Sequence, residues 1–149
     1  MTEKKLTEED ARMALSDHAI KKAAQLRDRC GGEMTWPKFL ALLGDAEAIR
    51  YPCRVTFGAE ALEPGEFAWP QPLGEKPQDG FCLWLHPKFE GRDADCLLLA
   101  AYQLVVVNYG EVANHEAAEL FGATLCGMER EAYYERVCAL ADEVISGTE

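Results

Sequence analysis

The sequence predicts an α+β fold, in which a small three-stranded antiparallel β-meander at about residues 53–86 is flanked by two N-terminal and three C-terminal helices. Three observations predict it. Apolar residues recur at helical spacing in the first and last parts of the chain. Between Cys53 and His86 the period falls to two, as in half-buried strands. Glycine and proline mark the places where the period changes. At 149 residues with 48% apolar side chains, the chain is expected to form one globular domain, 1–149, around one core.

The first helix is expected to start at Thr7, with Asp10 three residues on as the partner of a capping box. Leu15, Ala19, Ala23, Leu26 and Cys30 form its apolar stripe, and Gly31-Gly32 ends it. Thr35 caps a second, short helix, because proline at position 37 is tolerated in a first turn. Phe39, Leu40, Leu42 and Leu43 supply its apolar side before Gly44.

Cys53, Val55, Phe57 and Ala59 then alternate with Arg54, Thr56, Gly58 and Glu60, predicting a strand. Glu63-Pro64-Gly65-Glu66 suits a type II turn, and Phe67 and Trp69 begin the expected return strand. Pro70 to Gly80 reads as a proline-rich loop. Phe81 to His86 is nearly apolar on both faces, which predicts a central or covered strand.

The run from Cys96 to Val107 is apolar around its whole circumference and too short to span a bilayer, so it is expected to be a buried helix. Its Val105–Val107 end could instead be strand, because β-branched runs are ambiguous over short lengths. Asn114 caps the next helix, whose inner face is Ala117, Leu120, Phe121, Thr124 and Leu125. The last helix runs from about Glu129 to Ile145, with Tyr134, Val137, Cys138, Ala141 and Ile145 on one side and Glu131 and Glu135 on the other.

Charge narrows the function. The net charge is −11, and residues 93–149 hold two Lys/Arg against eleven Asp/Glu. A phosphate backbone or an anionic membrane surface requires the reverse, so neither direct nucleic-acid binding nor membrane binding is expected. The polar N-terminus, Met1 to Asp10, has no apolar stretch for a signal peptide, and a cytoplasmic location is expected. The six cysteines, Cys30, Cys53, Cys82, Cys96, Cys126 and Cys138, lack Cys-x-x-Cys spacing and read as reduced thiols, mostly core filler.

Four features could carry function. His115 and Glu119 are four apart on one helix face, the spacing at which two side chains can share a metal ion; a solvated polar face at a helix N-terminus explains them without any metal and is the plainer reading. The zincin pattern would need histidine in place of Glu119. His86 could transfer protons, although no nucleophile or orienting carboxylate accompanies it in the sequence, and capping a strand end is the plainer role. Cys96 lies in the first turn of a helix, where the dipole favours thiolate, while Asp93, Asp95 and the following leucines argue for a buried thiol. Trp69 and Trp84, with the prolines from Pro70 to Pro77, could form a binding surface or simply fill the core.

No glycine-rich phosphate loop or serine-nucleophile elbow is present, and serine occurs only at Ser16 and Ser146. The expectation is therefore a non-enzymatic protein-interaction module (an adaptor, assembly factor or small chaperone) that pairs with another protein or with itself as a homodimer and holds no cofactor. Its binding residues are expected among Trp69, Trp84, His86 and Arg92. The alternative is a small enzyme or metal-binding protein using His86 or the His115/Glu119 pair, and a further one is an acidic mimic of nucleic acid.

Overall fold

The computed structural model describes residues 7–147; Met1–Leu6, part of the polar N-terminus discussed above, lies outside them. The helices are α1 (Glu8–Arg29), α2 (Trp36–Leu43), α3 (Asp93–Tyr109), α4 (His115–Cys126) and α5 (Arg130–Gly147), and the strands are β1 (Cys53–Phe57), β2 (Ala68–Pro72) and β3 (Phe81–Leu85). The expected order of helices and strands is observed, and so are the caps. Thr7 and Asp10 form the capping box of α1, Thr35 accepts from Lys38 N–H at α2, and Asn114 accepts from Ala117 N–H at α4.

The sheet departs from the meander. It is mixed, in the order β1-β3-β2, with β1 parallel and β2 antiparallel to β3. The turn at Glu63–Glu66 does form, with Glu66 N–H bonded to Glu63 O and Gly65 at φ 87°. It closes a loop and joins no paired strands: the chain leaves the sheet after Gly58 and returns at Ala68 on the far side of β3. Pro70 and Pro72, expected in a loop, belong to β2. Proline is admissible there because β2 is an edge strand. The apolar β3 is central, as its two-faced hydrophobicity requires.

α3 is helical through Val105–Val107 and buried along most of its length. It lies against β2 and β3 on one side and α4 and α5 on the other, with α1 packed on α4. The buried apolar side chains form one cluster that includes Phe39, Leu83, Leu85, Phe89, Leu99, Leu104, Phe121 and Tyr133.

Two helix faces differ from expectation. On α5 the buried positions are Tyr133, Val137, Leu140 and Val144, while Tyr134 and Ile145 are exposed. The two candidate stripes are neighbours on the helix, and the ring of Tyr133 decides between them: its hydroxyl donates to Leu98 O at 2.6 Å, anchoring α5 to α3. On α2, Leu40 points outward at 40% exposure. The short helix buries only the side carrying Trp36, Phe39, Leu42 and Leu43.

Candidate functional site

The sheet has two unlike faces. Cys53, Ala68, Leu83 and Leu85 turn towards the helices and are buried. The register places Arg54, Cys82 and Gln71 in one row across the other face, and Thr56, Trp84 and Trp69 in the next. The two tryptophans are therefore direct cross-strand neighbours. Trp69 is 36% exposed and Trp84 half-buried. Trp84 Nε1 donates to Gln71 Oε1 at 2.9 Å, which orients the indole on the sheet. Gly58 lets that ring lie over the end of β1, since a Cβ there would meet Trp84 Cζ3 at 2.8 Å. Cys82 Sγ donates to Thr56 Oγ1 at 3.4 Å on the same face.

The edges of the sheet differ as much as its faces. Phe81 N–H bonds to Pro52 O and Gly58 N–H to Leu85 O, which makes even-numbered residues of β1 the partners of β3. The N–H and C=O groups of Cys53, Val55 and Phe57 consequently point to the outer edge. On β2, His86 N–H bonds to Phe67 O and Leu73 N–H to Gly80 O, so Ala68, Pro70 and Pro72 face outward. The two prolines have no N–H to offer. One edge of the sheet thus keeps a single outward N–H, that of Ala68, and the other keeps all three.

His86 and Arg92 are gathered elsewhere, around Phe89. His86 Nδ1 accepts from Lys88 N–H at 3.1 Å, capping a 3-10 turn at Pro87–Phe89, and its ring meets Phe89 edge-on at 6.3 Å. Arg92 lies over the Phe89 ring, 5.1 Å from its centre. Its guanidinium forks onto both carboxylate oxygens of Glu143 at 2.9 and 3.0 Å and reaches Asp95 at 2.9 Å. Those bonds hold the Glu143 carboxyl below its ordinary range, with the Arg92 hydrogen bond as the leading cause. Arg92 therefore ties α3 to α5, a structural task for a side chain expected to bind a partner.

His115 and Glu119 do not converge on a common point. A hydrogen bond of 2.6 Å joins His115 Nδ1 to Tyr102 Oη, and Glu119 accepts from Arg130 Nε at 3.1 Å. The Glu119 side chain is only 14% exposed, which corrects the expectation of a fully solvated polar face: Arg130, entering α5, closes over it. Among the described residues no group of three or more His, Cys, Asp or Glu is gathered as a metal site would need. The cleft lined by His115 also contains Tyr102, Val106, Ala113, Asn114 and Ala118, and neither His86 nor Glu119.

Cys96 and several carboxylates are also engaged. Cys96 is buried and its thiol donates to Phe89 O at 3.0 Å; burial, then Asp93 and Asp95, push it up to about 11. Three acidic residues of the last helices are paired, Glu116 with Arg12 and Ser16, Glu119 with Arg130, and Glu143 with Arg92 and Lys88, while Glu131, Glu135 and Asp142 make no ion pair among the described residues. Asp95 pairs with Arg92 and Arg136. This pairing takes Asp95, Glu116, Glu119 and Glu143 out of the set of free carboxylates that mimicry of nucleic acid would use.

The sequence reading missed two groups of residues: the outer edge of β1, centred on Val55, and a polar cleft where Asn108 and Arg50 meet. The alternation Pro70-Gln71-Pro72 could have flagged a blocked edge strand. Asn108, an amide that follows three valines in an apolar helix, could have flagged the cleft. No protein-family model, curated protein or solved structure matches the chain, so geometry carries the functional argument.

Proposed function

We propose that the chain is a non-enzymatic protein-interaction module that associates by strand addition at β1, with a second copy of itself as the first partner. The observation that carries this reading is the asymmetry of the two sheet edges. Proline removes two of the three outward donors of β2, whereas Cys53, Val55 and Phe57 keep theirs. An antiparallel copy centred on Val55 sets Val55 against itself, Cys53 against Phe57 and Arg54 against Thr56, with no like charges opposed. The free groups then form hydrogen-bonded pairs, roughly six bonds in all. The Trp69/Trp84 face extends alongside as further apolar surface.

The magnitude is modest. Six such bonds at about 0.5–1.5 kcal/mol each compete with an association cost of about 4–15 kcal/mol, so a micromolar or weaker pair is expected. Two copies each carrying a net charge of −11 also repel, which salt relieves. Sedimentation equilibrium tests the reading. Wild-type protein should dimerise and tighten from low to physiological salt. Val55→Pro should be monomeric with unchanged far-UV circular dichroism, because residue 55 makes no bond to β3. A wild-type monomer at high micromolar concentration, or a Val55→Pro variant that still pairs, overturns it.

A further inference from the structure

A cleft of about 390 Å³ opens between α1, the segment 46–50 and the end of α3. Its wall presents His18 and Lys22 from α1, Glu47 and Arg50 from the connecting segment, and Asn108 and Tyr109 from α3. The chain as a whole is strongly acidic, yet here two cationic side chains meet one carboxylate. Lys22 makes no ion pair or hydrogen bond among the described residues. Arg50 is held in place by a long bond of 3.4 Å from Nη1 to Asn108 O and by the Tyr51 ring 5.1 Å below it, and its other N–H groups remain available.

Asn108 supplies the second observation. It is 6% exposed, and its Oδ1 accepts from Arg50 N–H at 3.2 Å. That bond fixes which end of the amide is nitrogen. Nδ2 is buried and has no acceptor among the described residues. A buried donor without an acceptor costs about 1–3 kcal/mol, so a ligand oxygen gains more there than at an exposed amide once a small shift of the wall uncovers Nδ2, which has almost no accessible surface in this structure. At the rim, Tyr109 Oη and His18 Nδ1 are joined at 2.6 Å, which fixes both rings beside the opening.

A second cleft of about 330 Å³ shares Ala46, Ile49 and Arg50 with the first. Leu43, Pro52, Leu73 and Phe81 give it an apolar part, and Asp45, Arg54 and Asp79 also line it. Arg50 thus lines both the polar cleft and the one that holds the apolar patch. The balance of two positive charges against Glu47 suits a monoanion better than a phosphate dianion, and the neighbouring recess suits a hydrocarbon.

We infer that this paired cleft binds a small monocarboxylate with an apolar tail, its carboxylate between Lys22, Arg50 and Asn108 Nδ2 and its tail across Ile49. The inference does not rest on strand addition at β1, although Cys53 and Arg54 of that strand also line the second cleft. The test is titration of ¹⁵N-labelled full-length protein with sodium octanoate, with n-octanol (tail without charge) and inorganic phosphate (charge without tail) as competitors for the explanation. Octanoate should bind, shift the Asn108 side-chain amide resonance, and weaken about tenfold or more in Lys22→Met and in Asn108→Asp. Lys22→Met leaves the buried wall intact and keeps the test valid if Asn108→Asp misfolds. Octanol binding as tightly as octanoate overturns the anion site, and phosphate binding as tightly overturns the tail. No octanoate binding at millimolar concentration, or unchanged binding in Lys22→Met, overturns the proposal outright.

Discussion

Replacing Gly122 by alanine sets two opposed effects against each other in the middle of α4. Helix propensity favours the change, because alanine in a helix interior is better than glycine by about 0.8–1.0 kcal/mol. Packing opposes it. A Cβ at this position would land on the Oη and Cζ atoms of Tyr133 and lie 2.6 Å from its Cε2. The ring cannot swing aside, since Tyr133 is fully buried and its hydroxyl is bonded to Leu98 O at 2.6 Å. Overpacking of this kind costs about 1–3 kcal/mol, and breaking the hydroxyl bond adds about 0.5–1.5 kcal/mol. Packing wins, and a net loss of about 1–3 kcal/mol is expected. In a domain of this length that lowers the melting midpoint by about 3–10 °C in a calorimetric scan. The background variants sharpen the test. Tyr133→Phe removes only the hydroxyl, so the ring carbons still obstruct and Gly122→Ala stays destabilising. Tyr133→Leu removes the ring, and in that background Gly122→Ala should turn stabilising by about 0.5–1 kcal/mol. A rise in melting temperature for Gly122→Ala in the wild-type background would refute the packing argument.

Burial divides the thiols. Cys53 and Cys96 are pushed up to about 11 and Cys126 to about 12, each chiefly by desolvation, so at pH 8 their thiolate fractions are on the order of one in a thousand or less. Mass mapping after brief treatment with a disulfide reagent should find these three unmodified until denaturant is added; rapid labelling of Cys96 would contradict its placement. Glu143 has a folded-state carboxyl below its unfolded value, so its contribution is complete above the ordinary glutamate range and fades as pH falls through the lowered value. Glu143→Gln should therefore be less stable than wild type at neutral pH, with the two unfolding curves converging under acid. Divergence on acidification would reverse the assigned sign.

The helices were legible because their signals are local. Thr7, Thr35 and Asn114 each bond to an N–H three residues on, an interaction that needs no other part of the chain. The same locality explains where the reading failed. Alternation along Cys53–Phe57 identifies a strand and carries no information about which strand it joins. The Pro64-Gly65 turn formed as expected and still paired nothing, because a turn fixes chain direction over four residues and not the destination of the chain. On α5 the stripe containing Tyr134 and the stripe containing Tyr133 are equally periodic. Leu98 O and the gap at Gly122 select Tyr133, and both lie on other helices.

The candidate residues divide along the same line. Histidine, tryptophan and arginine draw attention in a sequence by type, but type does not reveal whether a side chain is already committed. Arg92 is committed to Glu143 and Asp95, Glu119 to Arg130, His115 to Tyr102, and Cys96 to Phe89 O. The groups left with unspent capacity are of ordinary kinds: backbone N–H at Val55, an ammonium at Lys22, and one half of the Asn108 amide. Binding capacity follows from unsatisfied hydrogen-bonding groups held in fixed geometry, and satisfaction is a property of the whole fold. Pro70 and Pro72 fit this logic from the opposite direction, since they remove donors from β2 while β1 keeps its own. A sheet protected against edge-to-edge pairing on one side only has a preferred side for pairing, and that preference is what Val55→Pro would erase.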